Sequence, residues 1–401
     1  MIPTLHPLAD TARRYHKSDY GLDTEMSRDE ASAVASGPMP GRRSSWWEVN
    51  NYASAMYLTN KTADALVFAR EAIALKRNVA TLINISVILD ELGRHSEALN
   101  YAEEAYRSDT TSDLASARLA ELLLRSGLWR AAWPHWIRNR ASMDWCKHWL
   151  PEWTGGSRRF KRILVIEGGG YGDNLYFFRW LRTLRQWGTH IDYVCDPSFA
   201  PLARSQGVDV ILNYHGNADI RWERYDYFVP LLAIPGRLGI ALEQDKGLRY
   251  INVKGRSAKP TRLIGLCHRA GEAISPRRQR TLHNEQIQMI VDALPSTYKW
   301  VQMTHKMIHP QIEGTISGDW LETAKVMNTL DLLITVDTAT AHLAGAMGIP
   351  TIVMIPGACS WYYILGQDWN PLYPAMRVHR NMTEGLDQAV AMTCAALRRL
   401  K

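Results

Sequence analysis

Cysteine is scarce in this chain. Cys146, Cys195, Cys267, Cys359 and Cys394 are odd in number, widely scattered over 401 residues, and include no Cys-x-x-Cys pair. That argues against a structural zinc site or a disulfide framework and for a reducing compartment. No apolar run approaches the roughly 20 residues needed to cross a bilayer, so no membrane span is expected. Met1–Asp10 lacks a basic segment followed by an apolar core, the pattern of a secretory signal, and the expected location is the cytoplasm. Acidic residues are nearly missing from one stretch. Gly255–Leu282 carries Arg256, Lys259, Arg262, Arg269, Arg277, Arg278 and Arg280 against Glu272 alone.

A hydrophobic content of 46% with 22% charged residues fits a soluble globular protein, and 401 residues suggest two or three domains. The formal charge of +7 implies attraction to anionic partners such as nucleotide phosphates, nucleic acid or acidic glycans. The 15 tryptophans are spread along the chain, which suits packing better than a stacking platform for bases.

Residues 1–44 show weak periodicity, with a helix expected near Ser27–Ala35, and end in a turn-rich linker. Residues 45–150 read as helical repeats. Ala65-Leu66, Ala98-Leu99 and Ala132-Trp133 recur at spacings of 33 and 34, and Gly93 and Gly127 are also 34 apart. This is the period of tetratricopeptide repeats, and two full repeats with a leading half are expected. The proline that usually closes such a repeat is missing, with Arg77 and Thr110 near its place.

Trp145–Ser157, with its tryptophans, Pro151 and Gly155-Gly156, reads as a domain junction. Strands then alternate with helices in two series, residues 158–250 and 258–401. The first holds strands at Arg162–Glu167, Ile191–Cys195, Val208–Leu212 and Tyr227–Leu231. The second holds strands at Leu263–His268 and Trp300–Thr304 and helices at Glu285–Leu294 and Leu321–Thr329. Such alternation predicts parallel, doubly wound sheets. Leu330–Pro356 is the clearest unit: a strand at Leu332–Val336, a polar corner at Asp337-Thr338, a helix of small residues ended by Gly348, and a strand at Thr351–Ile355. Ligands bind at the carboxyl ends of such strands, beside helix N-termini that attract anions.

Asp337–Pro350, D-T-A-T-A-H-L-A-G-A-M-G-I-P, resembles the Asp-Thr-x-x-x-His-Leu-Ala-x-Ala-x-Gly-x-Pro signature of glycosyltransferase family 9, the heptosyltransferase family. The chain is closer still to bacterial and phage proteins that fuse tetratricopeptide repeats to such a transferase. Gly170-Tyr171-Gly172-Asp173 with Phe177-Phe178-Arg179 is similar to the first-domain loop and helix of that fused type. Arg280-Thr281-Leu282 and Asn370–Arg377 are similar to two further segments, and the likeness covers roughly residues 50–399. It departs from the pattern before the first loop, where a common glutamine is a glycine and the loop is one residue longer, at Cys267–Gly271, and at Cys359-Ser360-Trp361-Tyr362, where an Asp-Trp-Arg-Trp-like motif is usual.

The resemblance implies a GT-B architecture, two Rossmann-like domains facing a cleft, behind an all-α tetratricopeptide-like N-terminal domain. The first Rossmann-like domain is expected to lie on the acceptor side. The second is expected to hold a nucleotide-diphosphate sugar as donor substrate, with its C-terminal helix free to cross back to the first. Sugar transfer needs a base for the acceptor hydroxyl and positive charge for the departing diphosphate. No Asp-x-Asp element of the kind common in metal-dependent transferases occurs, so no metal and no cofactor are expected, and helix dipoles with arginines carry the charge.

Asp173 matches the position to which heptosyltransferases assign a catalytic aspartate; an ordinary aspartate stabilising a helix start is the alternative. Asp337, Thr338, Ala339, Thr340, His342, Arg269, Arg280, Gly170 and Gly172 are the expected contacts to the sugar donor. Helix capping alone would also explain Asp337 and Thr338, and a core hydrogen bond would explain His342. Arg277 and Arg278 are weaker candidates, Glu167 is a second candidate base, and Trp361 and Tyr363 could stack on the donor base or simply pack. The expected acceptor is a hydroxyl of a protein or surface glycan, with the repeats available to bind it. A hydroxymethylated base in DNA, reached through the basic 255–282 stretch, is the alternative acceptor. The competing class is a non-catalytic binding protein whose transferase half is vestigial.

Overall fold

In the computed structural model the described residues are 28–400, apart from 42, 142, 157–160, 187, 215–216, 245–246, 271–279, 305–308, 311, 314–315, 317, 358 and 382–384. Arg277 and Arg278 therefore lie outside the described residues.

The chain opens with α1 (Arg28–Ser36), followed by α2 (Trp46–Leu58), α3 (Thr62–Leu75), α4 (Val79–Glu91), α5 (His95–Ser108), α6 (Asp113–Arg125) and α7 (Trp129–Arg140). Three-residue turns join α2 to α3, α4 to α5 and α6 to α7, so each of these pairs folds back on itself. There are thus three full pairs where the spacing of alanines and glycines suggested two and a half. The reason is chemical. Gly93 and Gly127 take the left-handed conformation in their turns at φ 76° and 78°, and Asn60 takes it at φ 68° in the turn before. Asparagine is among the few other residues that visit this region readily, so the first turn keeps the shape while hiding the glycine signal.

The repeat core also holds charge. Asp90 is fully buried with Arg118 and Arg125, at 3.1 and 2.7 Å. Buried charges persist when they are paired in this way. Ladders between repeats follow the period: Asn84 donates to Asn50 at 3.2 Å, and Tyr57 donates to Glu91 at 2.9 Å.

The first α/β half contains β1 (Arg162–Ile166), α8 (Tyr171–Phe177), α9 (Leu181–Gln186), β2 (His190–Cys195), α10 (Ala200–Ser205), β3 (Asp209–Tyr214), β4 (Asn217–Ala218), β5 (Tyr227–Pro230) and α11 (Ile234–Arg237). Its sheet order is β4-β3-β2-β1-β5, parallel except for the short edge strand β4. The second half contains β6 (Leu263–Cys267), α12 (Asn284–Ala293), β7 (Lys299–Gln302), β8 (Ile312–Glu313), α13 (Trp320–Met327), β9 (Leu332–Val336), α14 (Ala339–Met347), β10 (Thr351–Ile355), β11 (Trp369–Asn370), β12 (Tyr373–Arg380) and α15 (Asp387–Leu397). Its order is β11-β12-β10-β9-β6-β7-β8, parallel except at the edge strand β11. Two parallel α/β halves placed side by side, preceded by helical pairs, are the architecture the resemblance implied. The closing helix α15 stays with the second half. It lies against α12, where Cys394 Sγ donates to the Met289 carbonyl at 3.4 Å and Gln286 donates to Asp387 at 2.6 Å.

Topology selects the functional ends. In the first sheet β1 has β2 on one side and β5 on the other, so strand order reverses beside β1. In the second sheet order reverses between β6 and β9. Crevices for ligands open at such switch points, at the carboxyl ends of the strands. The segments that leave these ends are Glu167–Asp173 after β1, His268–Ala270 after β6 and Asp337–Thr340 after β9.

The halves are not separated by an open hinge. One apolar cluster runs from Ala31 through the repeats and both halves to Val378. Its joint is aromatic. The Trp361 ring lies 5.8, 6.2 and 5.6 Å from those of Trp129, Trp133 and Trp136 on α7, and 5.3 Å from Tyr176 on α8. Trp133 and Trp136 also donate from their indoles to the carbonyls of Ile240 and Leu232 at 2.6 and 3.0 Å. Arg179 sits among Tyr176, Tyr250 and Tyr373, its guanidinium 4.3, 4.8 and 5.0 Å from their ring centres. These three tyrosines come from the first half, the crossing segment and the second half, so one cation clasps all three.

Candidate functional site

The site begins with two helix starts that touch. After β1 the chain turns through Gly169 in the left-handed region, at φ 69°, and enters α8 at Tyr171. A Cβ on Gly169 would lie 2.4 Å from Asp173 Oδ2, so only glycine lets that carboxylate fold back over the turn. Asp173 Oδ2 there accepts from the Gly170 N–H at 2.9 Å. After β9, Thr338 caps α14 by accepting from the Thr340 N–H at 3.1 Å, and Gly348 ends the helix at φ 67°. A Cβ on Gly172 would lie 3.7 Å from the Cα of Ala339 and 3.1 Å from His342. Small residues thus allow the two N-terminal turns to meet face to face. A helix N-terminus carries partial positive charge that favours an anion.

Asp337 is 3% exposed. Its Oδ1 accepts from the Tyr363 hydroxyl at 3.1 Å and its Oδ2 pairs with Arg280 Nη1 at 3.1 Å. Arg280 stays partly exposed beside the start of α14, so contact between Asp337 and an anion would run through Arg280. Arg269, which follows β6, is exposed. The Leu282 N–H donates to the His268 carbonyl at 2.9 Å, which draws the Arg280 segment alongside the end of β6. Ala339 and Thr338 are half-buried, and Thr340 is buried with its hydroxyl 3.7 Å from Cys267 Sγ.

His342 lies one turn into α14 and is 3% exposed, with Nδ1 3.0 Å from the Tyr373 hydroxyl. The Tyr373 contact is a core hydrogen bond, one of the two roles the sequence left open to it. Burial lowers its imidazole to about 4, against the opposing attraction of Asp337. The folded-state value lies below the ordinary 6.5, so the unfolded chain takes up this proton first as pH falls. Stability from His342 is therefore full above pH 6.5 and is lost as pH falls toward 4. At about 1.4 kcal/mol per unit the loss approaches about 3 kcal/mol. In urea denaturation between pH 7 and pH 4.5, His342→Asn should show a shallower fall in stability than the unsubstituted protein. Equal slopes would remove His342 as the cause.

Asp173 Oδ1 receives the hydroxyl of Tyr362, a residue of the second half. Tyr362 is itself caged by His342, Tyr176 and Trp361 at ring distances of 4.5, 4.7 and 4.2 Å. Burial first, and then the Asp173 charge, push its phenol well above the ordinary range, so it donates. The same holds for Tyr363 beside Asp337. Trp361 and Tyr363 are buried at 5% and 1%, in the packing role rather than as exposed stacking surfaces. Glu167, the residue after β1, has both carboxylate oxygens engaged, by Asn213 at 2.9 Å and by the Asp196 N–H at 3.0 Å. Its pKa is raised by burial, which those two donors oppose.

Tyr362, Gly169 and Arg179 were not singled out for these parts by the sequence. The adjacent tyrosines at 362 and 363 fall where the family motif is broken, and that departure was the one signal pointing to them. Among the described residues, His190, Asp192 and Asp209 are the group whose ligand atoms approach one another within 4.8 Å. They sit at the amino ends of β2 and β3, away from the two helix starts, and Asp192 is already held by Arg162 at 3.0 Å and by Tyr225.

Solved chains with a similar path include glycosyltransferases. A glycosyl transferase family 9 structure from Veillonella parvula is 16% identical, with a TM-score of 0.43 over 57% of this chain and 88% of that one. The E. coli heptosyltransferase WaaC with ADP is 14% identical, with a TM-score of 0.36 over 59% of this chain and 97% of that one. A mutant O-GlcNAc transferase from Thermobaculum terrenum is 14% identical, with a TM-score of 0.30 over 98% and 93% of the two chains. Among curated proteins, FlbA of Caulobacter vibrioides is 23% identical over 403 positions, 89% of this chain and 67% of its own length. No protein-family model matches.

Proposed function

We propose that this chain is a glycosyltransferase that moves a sugar from a nucleotide-diphosphate sugar to a hydroxyl of a protein or glycan acceptor, without a metal ion. The observation that carries the reading is the meeting of the two helix starts. On one side stand the N-terminal turn of α14 and Arg280, both suited to a diphosphate. On the other stands the Asp173 carboxylate, suited to take a proton from an acceptor hydroxyl. Arg269, Thr338, Ala339 and Thr340 complete the diphosphate side, with Asp337 holding Arg280. The family 9-like signature at Asp337–Pro350 supports the same assignment. The helical pairs, whose period is that of tetratricopeptide repeats, supply a surface for a macromolecular acceptor.

Screening nucleotide-sugars by thermal shift tests the reading, followed by radiolabel transfer from the stabilising donor to protein, glycan and DNA. Stabilisation by at least one nucleotide-sugar, with transfer or slow hydrolysis, is expected. Neither protection nor turnover with any donor leaves the vestigial binding protein as the better account.

DNA as acceptor keeps one specific observation in its favour. Lys254, Arg256, Lys259, Arg262 and Arg269 are all exposed along the crossing segment and the start of the second half. Retention on duplex DNA that falls steeply with salt would favour it, and no retention at low salt would remove it.

A further inference from the structure

One short segment of the second half reaches both aspartates of the site. Tyr363 donates to Asp337 within its own half, while the neighbouring Tyr362 crosses to Asp173 in the first half. The segment is held rigidly. The Asn370 side chain donates to the Tyr362 carbonyl at 3.1 Å, Arg380 donates to the carbonyls of Tyr363 and Ile364 at 3.4 and 3.2 Å, and the Leu365 N–H donates to the Arg125 carbonyl at 3.2 Å. Tyr362 itself has aromatic neighbours from both halves, so its hydroxyl has little freedom to point elsewhere.

We propose that Tyr362 is a positioning residue for Asp173, so that the second half, which takes the sugar donor, sets the base carried by the first. The inference rests on the reading of Asp173 as the base. The Gly170 N–H and the Tyr362 hydroxyl each take one lone pair, on different oxygens of the carboxylate. Together they fix its plane. Donors to the charged form also favour it, so the carboxylate stays ionised at lower pH than it would without Tyr362. The base is thereby complete only while the two halves are docked, which confines proton abstraction to the assembled site. Among the described residues, titratable groups packed against Tyr362 beside this carboxylate include Tyr176 on the helix of Asp173 and His342 on α14. His342 is neutral near pH 7 and supplies no limb there.

Tyr362→Phe keeps the ring and removes only the hydroxyl. The expected result is a fall in kcat of about tenfold to a hundredfold with KM for the nucleotide-sugar within about twofold, as for loss of an oriented base. The acidic limb of kcat/KM should move up by about half to one pH unit, because a hydrogen bond to the charged carboxylate is gone. In an Asp173→Asn background the same substitution should cost almost nothing. An unmoved acidic limb, or an undiminished cost in the Asp173→Asn background, overturns the proposal while leaving the transferase reading intact. If no nucleotide-sugar is turned over, that reading fails and the inference with it, while the carboxyl carbon of Asp173 separately tests whether Tyr362 holds that carboxylate. Its resonance, identified by its loss in Asp173→Asn, should titrate at higher pH in Tyr362→Phe. Identical titration in the two proteins would overturn it.

Discussion

Asp173→Asn is expected to lower sugar transfer by about 10²–10⁴-fold, the range for removing a positioned general base. Affinity for the nucleotide-sugar should change little, because the proposed diphosphate contacts belong to α14 and Arg280 in the other half. The substitution is close to isosteric and leaves one oxygen to accept from Gly170 or Tyr362, so folding should be kept. Steady-state kinetics with thermal shift as the binding readout separates the two effects. A variant that binds the sugar donor normally and turns over at the unsubstituted rate would return Asp173 to the role of a helix-start aspartate. Glu167 would then be the carboxylate to test, although both of its oxygens already hold donors.

Trp361→Ala should cost about 3–5 kcal/mol of stability, as for other large aromatic side chains removed from a packed core. The ring is the meeting point of Trp129, Trp133 and Trp136 from α7 with Phe177 and Tyr176 from α8. Each aromatic pair contributes about 0.5–1.5 kcal/mol beyond its buried area. Because Tyr362 and Tyr363 follow directly, transfer should fall as well, even where the protein remains folded. Urea denaturation measures the first effect and kinetics at low temperature the second. A cost under about 1 kcal/mol would mean that the joint repacks around the void.

Much of the fold could be read from the chain because its signals are local. Leu332–Val336 and Thr351–Ile355 are buried runs flanked by turn residues, and they are the strands expected from them. Gly348 ends its helix in the conformation that only glycine takes freely. The edge strands at Asn217–Ala218, Ile312–Glu313 and Trp369–Asn370 are two residues long and leave no periodicity to detect. Tyr373–Arg380 was matched as a motif rather than read as a strand, because its alternation is broken by Pro374 and charged residues. The third helical pair stayed hidden behind Asn60.

Within the candidate site, Asp173 stands at a helix start and Asp337 just past a strand end, positions that sequence spacing can reveal, while Arg280 lies in the loop before α12. What it could not reveal is which groups they meet. The Tyr362–Asp173 bond joins residues 189 apart, and the Tyr363–Asp337 bond depends on where a loop lands after β10. Burial of His342 likewise follows from Gly172 pressing on it from another half of the molecule.

The tryptophans of α7 bear on how such proteins can be rearranged. A helical array that only recruited partners could be exchanged for another, like a cassette. Here the last helix of the array forms one wall of the pocket in which Trp361 is seated, and its neighbour α6 lends a carbonyl to Leu365. Grafting a foreign array upstream of residue 150 would therefore have to reproduce three indoles in the right places. A seam between α5 and α6 would leave the residues that seat Trp361 in place, but the incoming array would have to supply a carboxylate where Asp90 now meets Arg118 and Arg125.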